Sequence, residues 1–146
     1  MSLPFPFKVS DFFEPIKKHI KWYRNDLDKD MYSSQFMLRE QGTFKLCCGR
    51  KTGHTTLAIK ILEEYPDSYL ILSKDRTAMI TKQIAADKCE IDLSKRIIST
   101  KDINKLTGKL NKIGEKIVVI DNASWFSEKD LNNIYNCNPE FVVMLQ

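Results

Sequence analysis

Apolar positions along the chain change their period near residue 43. Before it they recur at helical spacing: Ile16, Ile20 and Tyr23 share one side of a helix, and Phe36 reads as the apolar position of another. The charged stretch Arg24-Asn25-Asp26-Leu27-Asp28-Lys29-Asp30 separates these two predicted helices. From Thr43 onward, short apolar runs alternate with amphipathic stretches. Thr43–Cys48, Ser68–Ser73, Arg96–Thr100, Lys116–Asp121 and Phe141–Leu145 read as strands. Between them, Thr55–Tyr65 places Leu57, Ala58, Ile61, Leu62 and Tyr65 on one helical face, and Pro66-Asp67 ends it. Arg76–Ala86 and Asp102–Leu110 read as shorter helices, and Ser127-Glu128-Lys129-Asp130 has capping-box form ahead of Leu131, Ile134 and Tyr135.

Continuous apolar strands alternating with helices mark a parallel sheet covered on both faces. Right-handed crossovers then make the expected fold α/β, a three-layer doubly wound parallel sheet. It is preceded by an N-terminal helical arm over 1–30, with the sheet-containing core over 31–146.

Composition narrows the classes without redirecting them. The 146 residues are 42% hydrophobic and 29% charged, a globular balance that carries a core without disulfides or metal. No apolar run is long enough for a membrane span, and the N-terminus lacks the basic stretch and apolar run of a signal peptide, so a cytoplasmic protein with no membrane partner is expected. The net charge of +4 admits only weak, salt-sensitive nucleic-acid binding, with Arg50, Lys51, Lys74 and Arg76 as its natural contributors. Cys47, Cys48, Cys89 and Cys137 have no CxxC spacing, Cys47 and Cys48 read as buried reduced thiols, and the two histidines, His19 and His54, lie far apart.

The chemistry concentrates in Gly49-Arg50-Lys51-Thr52-Gly53-His54-Thr55-Thr56, which joins the first core strand to the first core helix. A phosphate-binding loop needs that context, because glycines let the backbone approach an anion and a helix N-terminus turns free N–H groups toward it. Against the pattern G-x-x-x-x-G-K-[ST], Gly53 and Thr55 stand at the second glycine and the hydroxyl, Cys48 at the first glycine, and His54 at the lysine. A plain strand–turn–helix connection is the competing reading. The run Lys116–Asp121 favours the phosphate loop: four apolar strand residues end in an acid, the form of a Walker B strand whose aspartate holds Mg²⁺.

These two segments together resemble the RecA-like ATPase core of superfamily 2 helicases and, more closely, of phage terminase large subunits. Gly49–Thr56 is similar to the terminase Walker A loop except at His54, and Asp121-Asn122-Ala123-Ser124-Trp125-Phe126 is similar to its Walker B segment except at Asn122. The resemblance spans roughly 31–146, a coarse boundary. It implies a viral P-loop protein in the host cytoplasm that takes ATP or another nucleotide with Mg²⁺. Gly49, Arg50, Lys51, Thr52, Gly53, His54, Thr55 and Thr56 would surround the phosphates, Gln35 would meet the base, and Thr55 and Asp121 would hold the metal.

Both departures fall where chemistry is done. The loop lysine is a long, permanent charge, whereas a histidine of ordinary pKa, about 6.5, is mostly neutral at pH 7. Asn122 occupies the place of the catalytic glutamate, and an amide cannot accept water's proton at neutral pH. The expectation is a nucleotide-binding pseudoenzyme that binds nucleotide phosphates or a protein or nucleic-acid partner with little hydrolysis. The alternatives are a small ATPase completed by a partner, and a non-enzymatic protein that mimics an ATPase subunit.

Overall fold

The computed structural model describes residues 9–27, 34–47, 53–89, 91–100 and 113–146. A 3₁₀ turn, Val9–Phe12, leads into α1 (Phe13–Asn25), followed by α2 (Ser34–Glu40) and β1 (Thr43–Leu46). Then come α3 (His54–Glu64), β2 (Tyr69–Leu72), α4 (Asp75–Lys88), β3 (Ile97–Ser99), β4 (Ile117–Asp121), α5 (Glu128–Asn136) and β5 (Phe141–Leu145). The helix expected over Asp102–Leu110 lies outside the described residues, as do Cys48 and the loop residues Gly49, Arg50, Lys51 and Thr52.

The five strands form one all-parallel sheet in the order β1-β5-β4-β2-β3. Every residue of β4 and β5 is buried, as their uninterrupted apolar runs require of strands covered on both faces. Alternation sorts their side chains. Ile117, Val119, Phe141, Val143 and Leu145 join Ile16, Ile20 and Tyr23 of α1, Leu57, Ile61 and Leu62 of α3 and Ala78 and Ala85 of α4. Val118, Ile120, Val142 and Met144 face the other way, toward Leu38 of α2 and Ile134 and Tyr135 of α5. Helices therefore cover both faces, which is the α/β parallel-sheet architecture the strand pattern predicts. Each wholly buried Leu, Ile or Val contributes about 1.5–3 kcal/mol to holding these layers together.

Three local expectations are corrected. Phe36 is not on the buried side of α2: it is exposed, and Met37 and Leu38 carry the packing instead. Strand pairing of β1 stops at Leu46, so Cys47 is exposed rather than buried, its thiol donating to Gln146 Oε1 at 2.9 Å. Arg96 belongs to a 3₁₀ turn, Ser94–Arg96, ahead of β3. Its guanidinium turns back under α3, where Nη1 donates to the carbonyls of Leu62 at 2.9 Å and Tyr65 at 3.0 Å. The Leu62 carbonyl lies in the last turn of α3, where acceptors have no partner within the helix, and Tyr65 is the residue that caps its end. The expected cap of α5 is in place, with Ser127 Oγ accepting from the Asp130 backbone N–H at 3.1 Å.

Candidate functional site

Parallel strands deliver their C-terminal ends to one edge of the sheet, and β5 separates the end of β1 from the end of β4 there. Leu46 pairs with Leu145 and Leu145 with Asp121, so the three strand ends are level. Asp121 continues the parity of Ile117 and Val119, which points its carboxylate to the face that carries α3. That helix begins at this edge. Its N-cap, Gly53, has φ 90° and ψ 25°, a left-handed conformation in which an added Cβ would meet nothing within 4 Å. The glycine is required there by its backbone angle, not by crowding. It supplies no side chain to cap the first turn of α3.

Three side chains meet at this point. Thr55 Oγ1 donates to Asp121 Oδ2 over a long 3.4 Å, although 66 positions separate the two residues. Asp121 is 2% exposed and His54 is 7% exposed. Among the described residues, Asp121 Oδ1 and His54 Nε2 are the two buried side-chain polar atoms without a hydrogen-bond partner. Such atoms are costly to keep, and both stand at one edge of one sheet.

Electrostatics follow from the burial. Desolvation pushes the Asp121 carboxyl above the usual carboxylate range, opposed by His54, by the Asn122 backbone N–H and by the Thr55 hydroxyl. The same loss of water holds the His54 imidazole below its ordinary value, and the nearby Asp121 charge only partly restores it. His54 is thus a neutral imidazole near pH 7, so it offers phosphate no fixed positive charge in this state.

Of the predicted site residues, Gly53, His54, Thr55 and Asp121 are brought together. Thr56 is exposed on the first turn of α3. Asn122 follows directly after Asp121 with φ 55° and ψ 52°. This left-handed step suits asparagine far better than the glutamate expected from the resemblance, since most L residues lose about 1–2 kcal/mol there. It starts the 3₁₀ turn Ala123–Trp125, which leads the chain across to the opposite face, where Ala123 and Phe126 are buried. Gln35 lies on α2, and its side chain is outside those described. Lys74 and Arg76 are exposed where β2 ends and α4 begins. Sequence reasoning gave Asn122 only the meaning of a missing base; its tolerance of the left-handed region was the available signal for a backbone role.

The residues fit a magnesium ion of the kind held by one or two side-chain oxygens together with phosphate. Asp121 Oδ1 is bare, and a hydroxyl sits on its other oxygen. No helix among the described residues is long and apolar enough to cross a membrane. No protein-family model matches the chain, and no curated protein matches it.

Proposed function

We propose that this protein binds nucleotide phosphates at the C-terminal edge of its sheet, in the manner of a P-loop ATPase core of the terminase or helicase type, with little hydrolysis of its own. The observation that carries the reading is the Thr55–Asp121 contact. A phosphate loop followed by helix α3 and an acid-terminated strand make chemical sense together only if hydroxyl and carboxylate meet, and they do. Gly53 gives α3 no side-chain cap of its own, which suits an anion at a helix N-terminus. Ligands of open parallel sheets collect outside these strand ends.

The ion, when bound, would neutralise charge on the phosphates. Thr55 and Asp121 are the residues to hold it. His54 would lie beside the phosphates without a permanent charge, and Asn122 would orient a water without taking its proton. Binding is therefore retained in this reading and turnover is weak.

The test is calorimetry with ATP, ADP and GTP, with and without Mg²⁺. Mg²⁺-dependent binding that drops about tenfold or more in Thr55→Val and Asp121→Asn is expected, since a charge-assisted contact is worth roughly 1.5–3 kcal/mol. His54→Lys should tighten binding at pH 8 by about tenfold, because lysine is charged there and histidine is not. Binding undetectable in all these proteins overturns the proposal and leaves a protein–protein role for the same fold. Rapid turnover by the wild type with DNA or a protein partner present would replace it with an active ATPase.

A further inference from the structure

Helix α4 is packed against the order its side-chain sizes would favour. The residues it buries are small, Ala78, Thr81 and Ala85, while Met79 and Ile80 point outward, 70% and 51% exposed. Ile91, just past the helix end, is 59% exposed, and these three are the most exposed large apolar side chains among the described residues. Adjacent exposed apolar side chains rimmed by polar ones mark a surface that another molecule covers. The order of residues on this face says what that molecule is. Helical residues advance by about 100° and about 1.5 Å each, so Arg76, Ile80, Gln83 and Asp87 fall within about 60° of one another, on a stripe about 16 Å long with Met79 at its margin. All five are exposed, and among the described residues neither Arg76 nor Asp87 is in an ion pair. The stripe begins with a cation, ends with an anion and is apolar between them. A two-fold axis across the helix turns such a stripe onto its own complement. In an antiparallel pair of copies, Arg76 meets Asp87 of the partner subunit and Ile80 meets Gln83 of the partner subunit. Both pairings share one centre, between Thr81 and Lys82.

We infer that the outer face of α4 is a self-complementary surface that pairs two copies of this chain, antiparallel, about a two-fold axis. An isologous contact requires one patch to complement itself, and the charge order along α4 meets that requirement. A parallel pair would set Arg76 against Arg76 of the partner subunit and Asp87 against Asp87 of the partner subunit, so the end charges fix the direction. Nucleic acid would be drawn to Arg76 and repelled by Asp87. Met79 and Ile80 supply the apolar centre of the contact. One helix face from each copy stands at the low end of specific interfaces, so the dimer is weak, with a Kd on the order of 10–100 µM. None of these side chains belongs to the proposed phosphate site, so the pairing stands or falls separately from nucleotide binding.

The experiment is sedimentation equilibrium of the full chain from about 5 to about 500 µM, a range that brackets this Kd. Reducing buffer keeps the exposed Cys47 from forming a disulfide between copies. A reversible monomer–dimer equilibrium is expected. Ile80→Lys should weaken it by about tenfold or more, since it puts a charge at the centre of the contact. Arg76→Asp and Asp87→Arg should each weaken it by about tenfold, because each turns both end pairs into like charges. Mixing those two single variants should restore a dimer of about wild-type strength, one chain then carrying two acids and the other two bases. The double variant Arg76→Asp with Asp87→Arg should pair with itself equally well. A helix merely damaged by substitution would not be rescued by mixing, and the mixture still decides if Ile80→Lys does not fold. A wild type monomeric across the whole range overturns the proposal and leaves this face to a different partner. So does a dimer unmoved by Ile80→Lys, or a mixture of the two charge variants that stays monomeric.

Discussion

Replacing Asp121 with asparagine removes a charge from a place where burial leaves it poorly compensated. The side chain is 2% exposed, one oxygen has no partner among the described residues, and the other receives a long bond from Thr55. Its carboxyl titrates above the usual range in the folded chain because burial disfavours the ionised form. The sign follows from linkage. A raised folded pKa means that Asp121 supports folding below its unfolded value, near 3.9, and that this support is lost as pH rises through the folded value. Asparagine resembles the protonated acid at every pH, so variant and wild type should match near pH 4 and diverge above it. A buried, unsatisfied polar group costs roughly 1–3 kcal/mol, more when charged. At pH 7.5 the variant should therefore be more stable by about 1–3 kcal/mol, which for a chain of this size is a rise in Tm of about 3–10 °C. Thermal unfolding in metal-free buffer at pH 4 and pH 7.5 is the assay. With Mg²⁺ and nucleotide the order should reverse, because only the wild type gains from binding. An asparagine variant less stable than wild type at pH 7.5 without ligand would refute the reasoning and make Asp121 a structural cap for the turn at Asn122.

Arg96→Ala should lower stability by about 2–4 kcal/mol in urea unfolding, since it strips charge-assisted bonds from the Leu62 and Tyr65 carbonyls; Arg96→Lys should recover part of this, because both bonds come from the single nitrogen Nη1 and an ammonium that reaches its position can make them. At Asn122, glutamate should cost about 1 kcal/mol and glycine close to nothing, measured the same way, because φ is 55° there. Without metal, wild-type affinity for nucleotide should stay flat from pH 8 to about pH 6.5 and rise only below it, because burial holds the His54 imidazole neutral past the ordinary histidine value; a rise already complete at pH 7 would show that His54 is charged.

The sheet was legible because its strands are buried on both sides. Ile117–Ile120 and Phe141–Leu145 have no polar position to blur them, and a run of that kind has few other places to go. Boundaries were less legible where one residue serves two elements. Arg96 looked like the start of a strand, but its side chain was recruited by carbonyls about thirty positions earlier, a long-range demand that local patterning cannot carry. Phe36 failed for a related reason: a seven-residue helix has too few turns for its period to identify the inner face, and Met37 and Leu38 took it.

At the site, the identities of the residues were legible in the sequence but their environments were not. Thr55 and Asp121 could be paired from their motif positions, whereas His54 could be read only as a phosphate-facing histidine of ordinary pKa, with nothing in the pattern to mark it as buried. Burial changes what that residue is. A solvated histidine beside phosphate would be a weak lysine, readily protonated by the ligand. A buried one near a carboxylate is held neutral by the loss of water, and it offers phosphate no charge until the pH falls below the ordinary histidine value. Asn122 moves the same way, from a missing base to a residue suited to a left-handed turn. The two departures from the ATPase pattern thus answer to local physics at their own positions. Restoring lysine and glutamate together would meet resistance from both the buried wall at His54 and the backbone at Asn122. Recovery of hydrolysis in that double variant should accordingly be accompanied by a loss of stability.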